Sequence, residues 1–185
     1  MHALRILLPL VATVLLPAPA AAAPSIHPLQ FFEGRTESSG TVKTFMKKPY
    51  WIRSVGRGRI EPDGSLSLVQ RVNEDGKPPR ERRWRIRQVA SGRYTGTMSD
   101  ASGPVTIEEV GGRYRFRFKM KGNLAVEQWL APLAGGMTAR NLMTVRKFGM
   151  VVGTGDGMIR KLAGSIAGSG RNAIGRSDAA PANPQ

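Results

Sequence analysis

The stretch RYRFRFKMKGNLAVEQWL, from Arg113 to Leu130, decides the fold. Its first eight residues alternate without a miss: Tyr114, Phe116, Phe118 and Met120 fall on one face, and Arg113, Arg115, Arg117 and Lys119 on the other. That period of two belongs to a β-strand with one dry side. A second alternating run follows Lys121-Gly122-Asn123, and the length of this loop settles which faces meet. A three-residue loop sets Met120 against Leu124, Phe118 against Val126, Phe116 against Gln128 and Tyr114 against Leu130, so apolar partners stay together. A two-residue loop would set Phe118 against Glu127, and a slip of that kind sends a whole face to the wrong side. In the favoured register Arg117 lies opposite Glu127, and Arg115 lies opposite Trp129, where its guanidinium can cover the indole. Each such pair adds about 0.2–1 kcal/mol.

Working outward from this hairpin, the same grammar recurs. Ser25 to Phe32 is a lead-in whose Leu29, Phe31 and Phe32 can plug one end of a core, and Glu33 with Arg35 is expected to close that end as an ion pair. Arg35 to Met46 and Tyr50 to Glu61 read as the first two strands, with Gly56 and Gly58 marking a bend or a close backbone approach. Glu61-Pro62-Asp63-Gly64 is a turn, and Ser65 to Val72 returns with Leu66, Leu68, Gln70 and Val72 inward. After Asp75-Gly76, Arg80 to Val89 places Arg82, Trp84, Ile86 and Gln88 on one face. Ser91-Gly92 leads into Arg93 to Asp100, with Tyr94, Gly96 and Met98 together, and Pro104 to Val110 puts Val105 and Ile107 inward before the Gly111-Gly112 hairpin signal. Met137 to Lys147 and Met150 to Leu162 supply the last strands, with Gly155-Asp156-Gly157 read as a turn or bulge.

No long window shows helical periodicity, and turn signals recur roughly every dozen residues. The fold class is therefore all-β, an antiparallel up-and-down β-barrel of about eight to ten strands, because closure removes the edges of such a meander and leaves room inside for a ligand.

The ends of the chain belong outside that domain. Arg5, the apolar run Ile6 to Leu16 and the small residues Ala18 to Ala23 form an export leader over residues 1–22, with cleavage expected after Ala22. The run is too short to span a bilayer, so a periplasmic or secreted protein without a membrane span is expected. The barrel domain is then 23–162, and the Gly, Ser, Ala, Asn and Pro composition from Ala163 reads as a disordered tail over 163–185. Cysteine is absent, so stability rests on the core, and no lipid-modified cysteine can tether the chain. The formal net charge of +15 points to anionic partners. Export removes nucleic acid from consideration and leaves anionic lipid or acidic envelope glycan. Of the basic residues 20 are Arg and 8 Lys, a bias that base composition alone can also place on solvated strand faces.

Four segments, FFEGRTESSG (Phe31 to Gly40), RRWRIRQVASGRYTGTMSDASGPV (Arg82 to Val105), MKGNLAVEQWL (Met120 to Leu130) and NLMTVRKFGMVV (Asn141 to Val152), resemble an uncharacterised family of exported bacterial proteins and lipoproteins, a domain of unknown function of the DUF3833 type. The resemblance runs from about Pro28 to Leu162, and its strength lies in several motifs in the right order and spacing. It implies a lipocalin-like barrel and no assigned activity, substrate or catalytic residue. Many members carry a lipobox cysteine, which this chain lacks. Lipocalins proper show a Gly-x-Trp near the first strand, whereas Gly34-Arg35-Thr36 has no Trp, so the likeness is one of architecture.

The residues permit little catalysis. Only His2 and His27 exist, the first within the leader, so a His-based triad, a Cys nucleophile and a His/Cys zinc site have no material. No spacing singles out a carboxylate pair among Glu33, Glu37, Asp100, Glu108, Glu109 and Glu127, and neither a metal nor a cofactor is expected. The informative set is polar residues that alternation sends inward: Gln70, Arg82, Gln88, Asp100, Gln128 and Asn141. With Trp84, Tyr94, Phe116, Phe118 and Met120 they form a candidate cavity wall for a small apolar or amphipathic ligand such as a lipid; a mutually hydrogen-bonded or water-filled network is the alternative. Arg82 is the sharpest member, since an inward guanidinium needs an anion, and Asp100 is the nearest inward carboxylate. Two functions follow as expectations, a non-catalytic ligand-binding barrel or an interaction protein whose basic exterior docks on anionic envelope material.

Overall fold

Ten strands follow one short helix in the computed structural model, which describes residues 27–163. The expected leader and, apart from Ala163, the expected tail lie outside the described residues. The helix α1 is Pro28–Phe32, and the strands are β1 (Gly34–Thr44), β2 (Tyr50–Ile60), β3 (Leu66–Glu74), β4 (Arg80–Ala90), β5 (Arg93–Met98), β6 (Val105–Val110), β7 (Arg113–Met120), β8 (Leu124–Pro132), β9 (Thr138–Lys147) and β10 (Met150–Leu162). Each strand pairs antiparallel with the next, and β10 pairs with β1 to close an up-and-down barrel of ten strands.

The organising hairpin has the register that its apolar pattern requires, with Met120 opposite Leu124, Phe118 opposite Val126, Phe116 opposite Gln128 and Tyr114 opposite Leu130. Its loop turns through Gly122 and Asn123 at φ 78° and 57°, the left-handed region that these two residue types tolerate best. Arg115 covers the Trp129 ring at 5.5 Å, and Arg113 does so at 4.9 Å. The Phe and Tyr side chains are buried and the arginines lie outside, so the greasy face of the meander wraps the centre.

One segment differs from its sequence reading. Gly155-Asp156-Gly157 is neither turn nor bulge but the middle of β10, continuous with its pairing to both β1 and β9. The bulge lies earlier, between Val151 and Gly153. Glycine serves here to let backbones approach across the closing seam. Gly40 sits opposite Gly157, and a Cβ on Gly157 would fall 2.6 Å from the Ser39 carbonyl oxygen.

Side-chain size is unevenly distributed around the wall. From β3 to β7 the inward positions carry Leu66, Leu68, Trp84, Ile86, Tyr94, Ile107, Tyr114, Phe116 and Phe118. On β1, β2 and β10 they carry Thr36, Ser38, Gly40, Ser54, Gly56, Gly153, Gly155 and Gly157. Large residues therefore reach across from one side towards small ones on the other. One end of the barrel is stopped by α1, whose Leu29, Phe31 and Phe32 are buried against the core, as the apolar cluster of the lead-in suggests. The expected Glu33–Arg35 pair does not form: Arg35 bonds Glu37 at 3.0 Å, because residues two apart on β1 share its outer face while Glu33 ends the helix. No helix among the described residues is long and apolar enough to cross a membrane.

Candidate functional site

The mismatch between large and small inward residues leaves a cavity of about 120 Å³ at mid-barrel. Its small-residue wall is Ser38, Gly40, Ser54, Gly155 and Gly157, and its opposite wall includes Leu68, Trp84, Ile86 and Phe116. Phe32 of the plug helix forms part of the lining. An apolar cavity of about 150 Å³ accepts benzene, whereas pockets that enclose drug-sized ligands run to about 300–1,000 Å³. The interior as folded thus has room for a single ring or a short chain, and a whole lipid exceeds it.

Polar groups enter this space from several strands. Trp84 Nε1 donates to Gln70 Oε1 at 2.8 Å, which fixes both side chains in the lining. Ser38 and Ser54 join hydroxyl to hydroxyl at 2.7 Å across β1 and β2. Gln128 and Asn141 add amides from β8 and β9, and the Asn141 Oδ1 is buried with no hydrogen-bond partner. A buried unpaired acceptor is destabilising by about 1–3 kcal/mol and invites a donor.

Arg82 spans the cavity and a cluster of charges behind it. Its Nε donates to Asp100 Oδ2 at 2.9 Å, and its side chain also lines the cavity. Asp100 also accepts from Arg80 and from Ser99 Oγ, the latter at 2.9 Å, and Arg80 bonds Glu74 Oε1 at 2.6 Å. Burial alone would raise the Asp100 carboxyl, but the charge and hydrogen bond of Arg82, with Ser99 and Arg80, hold it below the ordinary carboxylate range. Glu74 is likewise held low against its burial by hydrogen bonds from Lys77 and Arg80. Burial is the largest influence on Arg82 and lowers it, the direction opposite to that of its pairing. The shift starts from so high a value that the guanidinium stays charged at neutral pH.

Of the residues singled out from sequence, Gln70, Arg82, Trp84, Phe116 and Gln128 meet around this cavity, together with Asn141. Asp100 stands behind Arg82, and Phe118 stands behind Trp84 with ring centroids 6.1 Å apart, edge to face. Tyr94 is buried towards the plugged end, where His27 meets its ring edge-on at 5.5 Å. Gln88 is exposed, its Nε2 donating to the Ala90 carbonyl at 3.2 Å, because the ladder to β5 slips between Gln88 and Ala90 and ends the alternation there. The small-residue wall escaped the sequence reading. Its signal is alternation of another kind, Thr36-x-Ser38-x-Gly40 on β1 and Gly153-x-Gly155-x-Gly157 on β10, which meet at Gly40 and Gly157 and in which the inward member is small rather than apolar.

A wider hollow of about 540 Å³ lies over Ala125 on the outer wall, edged by Arg117, Lys119, Glu127 and Arg146.

Comparison with known proteins bears on the fold and the family. The barrel is similar to the S-type phycobiliprotein lyase CPES from Guillardia theta, at 8% identity and a TM-score of 0.58, with 74% of this chain and 91% of that one covered. It is also similar to a protein of unknown function from the DUF3598 family of Nostoc punctiforme, at 10% identity and a TM-score of 0.57, covering 78% of this chain and 52% of that one. Likeness at such identity extends to architecture alone. No curated protein matches the chain. The family described as "Protein of unknown function (DUF3833)" matches residues 10–161, almost the whole barrel and part of what precedes it, and the chain belongs to that family.

Proposed function

We propose that this protein is an exported, non-catalytic barrel that holds a small amphipathic molecule in its mid-barrel cavity. The reading is carried by the lining itself, an apolar wall of Leu68, Trp84, Ile86 and Phe116 interrupted by one unmet polar demand, the Asn141 Oδ1, and by the Arg82 guanidinium, which bonds Asp100 through its Nε. A ligand with a carboxylate or other acceptor at one end answers Arg82 and a donor answers Asn141, while a ring or short chain fills the apolar space. The absence of cysteine, with His27 the single histidine of the expected mature chain, supports the non-catalytic part, and the Arg5 to Ala23 leader supports export to the periplasm or beyond.

The test is native mass spectrometry and solvent extraction of protein purified from the periplasm of its own source, followed by titration of the extracted chain with hexanoate and benzoate while Trp84 fluorescence is read. A released small molecule, and saturable quenching that a Ser54→Leu variant abolishes, is the expected result. A chain that releases nothing and whose fluorescence responds to neither probe would overturn the reading, and fractionation that leaves the protein in the cytoplasm would overturn export.

A further inference from the structure

We infer that the barrel rim opposite α1 docks on an anionic lipid bilayer through the tips of the β1–β2 and β9–β10 hairpins. Phe45, Met46, Phe148 and Met150 are 73%, 89%, 76% and 67% exposed at these tips, and Trp51 is 55% exposed at the base of the first. The two hairpins are neighbours: Thr44 pairs with Gly153, and Phe45 N donates to the Val152 carbonyl at 2.9 Å. The rim therefore presents one group of large apolar side chains to water, at the end of a barrel whose other apolar residues are mostly enclosed.

Backbone conformation adds an independent observation. Met46 and Phe148 stand at φ 59° and 50°, and Phe148-Gly149 is a two-residue turn with both residues left-handed, the place that Asn-Gly fills most easily. A bulky apolar residue kept in the left-handed region, bare to solvent, serves neither the turn nor the core. Such local strain marks a position held for contact with something else.

Charge names the partner. Lys43, Lys47, Lys48, Arg146 and Lys147 flank the tips, neither 43–50 nor 145–152 contains an acidic residue, and among the described residues none of these five is in an ion pair. Along the strands acids are interspersed with the bases, with Arg59 on Glu61, Arg83 on Glu81, Arg85 on Asp63 and Arg140 on Asp156, although Arg53, Arg57, Arg71 and Arg87 are outside any ion pair among the described residues there too. This excess of ammonium and guanidinium groups around protruding Phe, Met and Trp, beside the Asp75 carboxylate that accepts from Trp51 N at 2.9 Å, suits a surface of phosphate headgroups over hydrocarbon, into which the tips insert while the lysines stay at headgroup level. An acidic glycan offers the tips no apolar phase, and the tips project rather than form a groove for a protein segment. The inference stands whether or not the interior holds a ligand.

Because the chain has no cysteine, F148C takes an environment-sensitive fluorophore at the rim alone, and V89C takes it at the opposite end, where the segment before residue 27 joins the barrel. Both labelled full-length chains are mixed with phosphatidylglycerol–phosphatidylcholine vesicles, with pure phosphatidylcholine vesicles and with polyglutamate. The expected result is a blue shift of the F148C label on the anionic vesicles only, fading as salt rises, with the V89C label unmoved. A double variant, Met46→Asn with Phe148→Asn, keeps all charges and suits both left-handed positions; its vesicle affinity should fall at least tenfold at an unchanged or higher thermal midpoint. Equal shifts at both labels, a shift with polyglutamate but not with vesicles, or a double variant that binds as the parent does would each overturn the inference.

Discussion

Removing one carboxylate tests the charge cluster behind the cavity. Asp100→Asn leaves Arg82 without its counter-ion while both side chains stay largely enclosed, 19% and 17% exposed. The expected loss is about 2–3 kcal/mol in chemical denaturation, less than the roughly 3–5 kcal/mol of a fully buried pair because some water still reaches both groups. The same cluster sets an acid limit. Asp100 and Glu74 are both held below their ordinary values in the folded chain, so their stabilisation is complete above the usual carboxylate range and fades as pH falls through the lowered values. Thermal midpoints should therefore fall below about pH 4, less steeply in Asp100→Asn than in the parent. A parent and variant with parallel pH profiles would show that the pair carries no such linkage. Arg82 and Asp100 were legible in the sequence because extending the β5 alternation two residues past Met98 puts Asp100 on the side of Arg82, and the turn that actually holds Asp100 keeps it there. Gln88 was not, since a ladder slip two residues from a turn leaves no trace in the alternation.

At the scale of strands, glycine does two different things on β10, and substitution separates them. A Cβ on Gly157 meets the Ser39 carbonyl at 2.6 Å and the Gly40 Cα at 2.9 Å, backbone atoms that cannot move without opening the seam. Gly157→Ala should cost about 2–3 kcal/mol. At Gly155 the nearest atom is the Met143 Cε at 3.1 Å, the end of a flexible side chain, so Gly155→Ala should change stability by less than about 1 kcal/mol while narrowing the cavity. Equal thermal midpoints for the two variants would show that the seam has more slack than its distances imply. Glycine read as punctuation is what hid this strand: Gly155-Asp156-Gly157 has turn composition, and only the partner strand, with Gly40 opposite Gly157, shows that the residues are small in order to be close. The β7–β8 hairpin was readable for the opposite reason, since one register alone keeps its Phe and Tyr rings together.

For the molecule as a whole, the wall is only as tight as its shortest ladder. β5 and β6 pair over four positions, Arg93–Gly96 with Val105–Glu108, whereas β9 and β10 pair over ten. Backbone amide exchange should accordingly be fastest, among strand residues, on β5 and β6, and slowest along β7 to β10. Uniform protection around the wall would contradict this. Closure itself was an inference from the economy of edges, and the pairing of Arg35 with Leu162 bears it out. That pairing brings the two limits of the barrel side by side, on the plugged end and a full strand length from the Lys- and Phe-bearing tips. A short Gly-Ser bridge from residue 163 back to residue 27 would therefore span little distance, and the chain could be reopened at Gly122 into a circular permutant with every stave retained. A reporter fused directly at residue 27 or residue 163 would likewise stand clear of the opposite mouth.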